Sequence, residues 1–106
     1  MRRAYARAEL VDQFPVFGED GFTKVAGLTA EAFRITVYRD AELAPSVVDV
    51  VEIAGSPGEY RLVFTPNDPG VWEVEIAYVA GRQLYAEQYE VVEPVVVGSS
   101  RPPGQG

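Results

Sequence analysis

The sequence predicts an all-β protein, a sandwich of six or seven antiparallel strands with an extended arm at each end of the chain. Several segments place apolar residues at every second position, which is the period of a strand that buries one face. Glycine, proline, asparagine and aspartate separate these segments at intervals of about 8–12 residues, as is typical of β-sandwiches. No segment has the period of a long α-helix.

Two strands joined by a rigid loop give the clearest signal. Tyr60 and Leu62 belong to an alternating apolar run, and the sequence Pro-Asn-Asp-Pro-Gly then predicts a loop over residues 66–70. Alternation resumes at Trp72 and Val74, with acidic residues between the apolar ones. We therefore expect Trp72 to be buried between the two sheets.

The other elements follow from the same patterns. Alternation predicts strands over residues 4–11, 33–38 and 82–92, and a run of mostly β-branched residues predicts one over residues 47–53. Residues 14–17 have no clean period and are a candidate short edge segment. Turns or loops are predicted over residues 18–21, 39–46 and 55–58, and one helical turn over residues 27–32 with Thr29 as its N-cap. Because Pro94 interrupts the last strand, the sandwich is predicted to span residues 1–93 and a Pro/Gly-rich arm residues 94–106.

Composition limits the classes of function. A chain of 106 residues with 47% apolar residues is long enough for one domain with its own core. It contains no cysteine and no histidine, which is the commonest general base and metal ligand. Its net charge of −7 disfavours nucleic acid, and no apolar run approaches the ~18 residues of a membrane helix. We therefore predict no catalytic residue, cofactor, metal site or small-molecule substrate, and neither nucleic acid nor membrane as a partner.

Two groups of acids have a functional and a structural interpretation. Glu73 and Glu75, together with Glu59 and Glu87, could form the paired carboxylates of a glycosidase, but such a pair needs one acid held in a pocket. The alternation of Glu73 and Glu75 with apolar residues predicts a solvated outer face instead. Glu19, Asp20 and Asp68 have oxygen atoms suited to calcium, but they lack the regular spacing of a calcium loop and are better explained as turn-forming residues.

The last third of the predicted sandwich resembles filamin-type immunoglobulin-like domains. The resemblance rests on turn and core positions over residues 58–92, namely Gly58-x-Tyr60, Pro66-x-x-x-Gly70-x-Trp72-x-Val74, Ala80-Gly81-x-x-Leu84 and Tyr89-x-Val91. It implies an immunoglobulin-like β-sandwich.

About half of the chain also resembles immunoglobulin-like accessory proteins and tail-protein modules of tailed bacteriophages. The motifs are Gly27-Leu28-Thr29-x-x-x-Phe33-x-Ile35-x-Val37-Tyr38-Arg39-Asp40, Val50-x-Glu52-Ile53 and Gly58-x-Tyr60-x-x-x-Phe64-Thr65-Pro66. This resemblance implies a non-enzymatic structural protein of the virion, assembled in the host cytoplasm, as a head decoration or cement protein or as a tail or neck accessory. Its implied partners are other virion structural proteins, with copies of the chain itself as a further option. A soluble immunoglobulin-like binding or adhesion module and a filamin-like structural repeat are the alternatives.

The two ends of the chain are the predicted subunit contacts. Arg2, Arg3 and Arg7 contribute +3 to the net charge of −7, which leaves −10 for the rest of the chain. We expect these arginines to contact an acidic neighbouring subunit, with a nucleic-acid arm or a solvated terminus as alternatives. At the other end, three consecutive valines of high β-propensity are expected to pair with a sheet edge of a neighbour. The predicted C-terminal contacts are Val95, Val96, Val97, Arg101, Pro102 and Pro103.

Overall fold

The computed structural model describes residues 1–79 and 81–94. In these residues the chain forms eight strands, one 3₁₀ turn and no α-helix, which confirms the all-β prediction. The strands are β1 (Arg2–Tyr5), β2 (Leu10–Pro15), β3 (Phe33–Arg39), β4 (Glu42–Leu43), β5 (Val48–Glu52), β6 (Glu59–Phe64), β7 (Gly70–Tyr78) and β8 (Gln83–Val92), with the 3₁₀ turn at Ala30–Ala32.

The strands form two sheets with one core between them. The larger sheet has the order β1-β8-β7-β3-β4, and the smaller has the order β2-β6-β5. Neighbouring strands are antiparallel except β1 and β8, which are parallel. The prediction of six or seven antiparallel strands is therefore wrong in number and in this one pairing.

The N-terminal segment differs most from the prediction. Residues 4–11 form no single strand, because a turn separates β1 in the larger sheet from β2 in the smaller one. Arg7 sits in this turn with a positive φ of 63°, and its N–H donates to the Pro66 carbonyl at 2.7 Å. The N-terminal residues 2–5 thus form a strand of the sandwich rather than an extended arm.

Two smaller predictions are also corrected. The predicted loop over residues 39–46 contains β4, a two-residue strand that pairs with Tyr38 and Arg39. The helical turn is present as the 3₁₀ turn, but Thr29 makes no side-chain cap there. Its hydroxyl donates to the Glu31 carboxylate at 2.6 Å instead.

The predicted strand pair lies in the centre of the fold. β6 is the middle strand of the smaller sheet and β7 the middle strand of the larger one. Trp72 is only 3% exposed, which confirms the expected inward face, and its ring lies 5.4 Å from that of Phe64 across the core. Phe14 and Phe33 make a second aromatic contact between the sheets, with centroids 6.4 Å apart. Burial of apolar side chains such as these is the main driving force for folding.

Gly58 allows the loop before β3 to lie close to the start of β6. It has a φ of +82°, and a Cβ atom there would lie 2.4 Å from Cβ of Lys24. We expect Gly58→Ala to lower the free energy of unfolding by about 2–4 kcal/mol, since backbone strain and a steric clash add. Urea unfolding provides the measurement.

Gly55→Ala is the matched control. Gly55 has the same φ of +82° but no atom within 4 Å of the added Cβ. The Gly55→Ala variant should lose only about 1–2 kcal/mol of unfolding free energy, because it adds backbone strain without a steric clash. Equal losses in the two variants would contradict close packing of the loop on Gly58.

Candidate docking site: the chain ends and the open seam

Arg2 on strand β1 contacts residues of both sheets. Arg2 lies opposite Tyr89 in the parallel register, and its guanidinium carbon lies 5.6 Å from the centroid of that ring. The same guanidinium forms an ion pair with Asp12 on β2, in the other sheet. A second acid, Glu87, lies 4.0 Å away. The N-terminal strand therefore closes this side of the sandwich.

Asp12 is an inward-facing acid on an edge strand. It lies between buried Leu10 and Phe14 in the alternation of β2. Its Oδ2 accepts hydrogen bonds from the hydroxyls of Tyr85 at 2.7 Å and Tyr89 at 3.1 Å, in addition to the bond from Arg2. An inward charge on an edge strand discourages pairing with another chain, because a pairing strand would have to bury it or displace its partners.

The protonation states of Asp12, Tyr85 and Tyr89 favour the hydrogen bonds that link the two sheets. Burial raises the pKa of the Asp12 carboxyl, but hydrogen bonds from Arg2 and Tyr85 lower it by more, so its pKa falls below the usual range. Burial raises the pKa of Tyr89 to about 12, and burial also raises the pKa of Tyr85. Both hydroxyls are therefore protonated near pH 7 and can donate to the ionised carboxylate.

The other two predicted arginines also form ion pairs within the chain. Arg3 lies 3.5 Å from Glu90, and both side chains are more than half exposed. Arg7 pairs with Glu93 and donates to the Asn67 carbonyl at 3.2 Å. Exposed pairs such as these contribute little to stability and can exchange partners. Contact of Arg2, Arg3 and Arg7 with a neighbouring subunit stays a prediction. The predicted C-terminal contacts, Val95, Val96, Val97, Arg101, Pro102 and Pro103, lie outside the described residues.

The opposite side of the sandwich carries an apolar groove between β3 and β5, which we call the open seam. Its volume is about 330 Å³. β4 reaches β3 only opposite Tyr38 and Arg39, so it does not cover this groove. The seam is lined by Ala30, Phe33, Ile35, Val48, Asp49, Val50 and Val51.

The outer edge of β5 presents backbone hydrogen-bonding groups at the seam. The Ile53 N–H donates to the Glu59 carbonyl at 2.8 Å, towards β6. Because successive residues of a strand direct their backbone groups to opposite sides, those of Val48 and Val50 point away from β6. In residues 1–79 and 81–94, β6 is the only strand paired with β5. The free edge therefore has unpaired donors and acceptors beside an apolar groove.

Among the edge strands of the described part, β5 is the least protected. β1 has only four residues and carries two arginines, and β4 has only two residues. β2 has the inward Asp12 and ends at Pro15. Short length, charge and proline each discourage strand addition. Three of the five residues of β5 are valine, and Val51 is 49% exposed.

The two groups of candidate acids lie on an outer strand face and in turns. Glu73 and Glu75 lie on the outer face of β7, where a hydrogen bond with Glu73 raises the pKa of Glu75. The Asp20 carboxylate accepts the N–H groups of Phe22 and Thr23 at 3.0 and 2.9 Å, which fixes a turn. The Asp68 carbonyl accepts the indole N–H of Trp72 at 2.8 Å.

No protein-family model matches the chain, and no curated protein matches it. In the residues that the structure describes, no three His, Cys, Asp or Glu side chains are grouped to hold a metal ion. No helix of that part is long and apolar enough to cross a membrane.

Proposed function

We propose that the two sheets form an immunoglobulin-like sandwich. The order β2-β6-β5 corresponds to strands B, E and D of such domains, and β8-β7-β3 corresponds to G, F and C. On this assignment β4 is strand C′, next to C, and β1 is an N-terminal strand running parallel to G. The strand order supports the fold that the sequence motifs imply.

A tryptophan at the β6–β7 corner also supports this assignment. In antibody-like domains a tyrosine near the start of strand F bonds to backbone a few residues upstream. Here Trp72, near the start of β7, donates its indole N–H to the carbonyl of Asp68. The bond fixes the same corner with a different aromatic residue.

We further propose that the protein is a non-enzymatic structural component of a tailed-bacteriophage particle. It would act as a head decoration or cement protein, or as a tail or neck accessory, and would dock on neighbouring subunits. The open seam is the observation that carries the docking role. A free strand edge beside an apolar groove is an aggregation hazard on an isolated domain, and a bound partner strand would cover both the edge and the groove. The phage setting rests on the sequence resemblance.

Purification of particles from the native source tests this function. The protein should co-sediment with virion structural proteins through a density gradient, at a fixed ratio to the major head or tail protein. It should remain with the particles after a wash in high salt, because strand pairing is less sensitive to salt than exposed ion pairs. Recovery of the protein only in the soluble fraction would contradict the virion role and favour the binding-module alternative.

A further inference from the structure

We propose that the C-terminal segment with Val95, Val96 and Val97 adds as a strand to the free edge of β5 in a second copy of the chain. This inference rests on the proposed docking function and names the partner of the open seam. The added strand would extend the smaller sheet to four strands and place valine side chains in the groove.

The seam accepts a short, β-branched strand. Its lining is aliphatic and aromatic except for Asp49, and Val50 at its floor is 6% exposed. The free edge offers backbone groups of Val48 and Val50, which a strand of three or four residues can pair. β3 is a poorer template, because Phe33 N–H already donates to the Ala30 carbonyl and the Val37 carbonyl accepts Ala44 N–H.

The segment after Pro94 has the matching chemistry. Three consecutive β-branched residues favour an extended conformation, and alternate valines can face the groove. Residues 95–106 contain no acid and one base, Arg101, whereas residues 1–94 carry eight bases and sixteen acids, a formal charge of −8. Asp49 is exposed at the edge of β5, so it would repel an acidic strand but not the segment after Pro94, which carries no acid.

Chain geometry makes the pairing intermolecular. A strand added to β5 of the same molecule would lie about three strand spacings sideways from β8 and one sheet spacing across, ~17 Å in all. Val95 follows Val92, the last residue of β8, by three residues, which span at most ~11 Å. By the same spacing Val96 also falls short of its own seam, so a strand that contains all three valines must come from another copy. Such a head-to-tail contact generates rings or open chains of subunits.

Disulfide trapping tests the contact, because the chain has no natural cysteine. Purified Val48→Cys protein is mixed with ¹⁵N-labelled Val96→Cys protein under mild oxidation, and mixed disulfides are counted by mass spectrometry. Val11→Cys, on the outer face of β2 and 45% exposed, replaces Val48→Cys in the control mixture. We expect at least tenfold more mixed disulfide with Val48→Cys than with Val11→Cys. Equal yields would overturn the proposal.

Sedimentation of cysteine-free protein gives an independent result. The full chain should form larger species as its concentration rises, and a chain truncated after Glu93 should remain monomeric. If both chains are monomeric, or if both associate equally, pairing between copies is wrong. If the full chain is monomeric but still needs residues 94–106 to bind particles, the arm docks on a different subunit. That outcome overturns this inference and leaves the proposed function standing.

Discussion

Replacing Trp72 with alanine is expected to lower the free energy of unfolding by about 3–5 kcal/mol. The indole is 3% exposed, contacts the Phe64 ring across the core and donates to the Asp68 carbonyl at 2.8 Å. Alanine removes both the packing and the hydrogen bond and leaves a cavity at the β6–β7 corner. A domain of this size has only ~5–15 kcal/mol of stability, so the loss is a large fraction of the total. Denaturant unfolding followed by far-UV circular dichroism measures the loss.

Two further variants make the result specific. Trp72→Phe keeps an aromatic ring but lacks the N–H, so it should lose less than the alanine variant. Val71→Ala, at the adjacent outward-facing position, should change stability by less than about 1 kcal/mol. A Trp72→Ala protein as stable as Val71→Ala would contradict the assignment of the inward face of β7.

Asp12→Ala is expected to lower the free energy of unfolding by about 2–3 kcal/mol. The substitution removes the acceptor for two tyrosine hydroxyls and the ion pair with Arg2, although Arg2 is half exposed and can return to water. Val11→Ala, next to it on the outer face of β2, is the control and should have a small effect. Equal losses would contradict the role of Asp12 as the link between the two sheets.

The contribution of Asp12 should also depend on pH in a defined direction. Its pKa is lowered in the folded state, so folding favours the ionised carboxyl. The stabilisation is therefore complete above the unfolded-state pKa of about 3.9 and is lost as the pH falls through the lower folded-state pKa. The difference in unfolding free energy between wild type and Asp12→Asn should be constant from about pH 6 to 8 and shrink below about pH 4. A difference that stays constant into acid would contradict the lowered pKa.

Local patterns predicted the parts of the fold in which one strand face is buried and the other solvated. The alternation around Tyr60 and Trp72 correctly identified the two central strands, because each side-chain position there has a single environment. The pattern failed at residues 4–11, where small alanines give a weak signal and Arg7 adopts a positive φ. The parallel pairing of β1 with β8 joins residues more than 80 positions apart, and no local pattern indicates it.

The candidate site was less accessible to sequence reasoning than the core. The three N-terminal arginines stood out by charge, but their partners Asp12, Glu90 and Glu93 come together only in the folded chain. Asp12 itself was missed because a charge between Leu10 and Phe14 breaks the expected apolar face of a strand. The open seam depends on strand order, since β5 is an edge only when its neighbours are known.

Removal of residues 94–106 tests the central claim, docking through the C-terminal arm, most directly. Particles assembled without this protein are mixed in turn with the protein ending at Glu93 and with the full chain ending at Gly106. Quantitative mass spectrometry then measures how many copies of each protein bind per particle. The truncated protein should unfold with the same midpoint as the full chain, because the eight strands found in residues 1–79 and 81–94 all end before residue 94. We predict that it will be lost from the particle. Incorporation of the truncated protein at full occupancy would contradict docking through the arm.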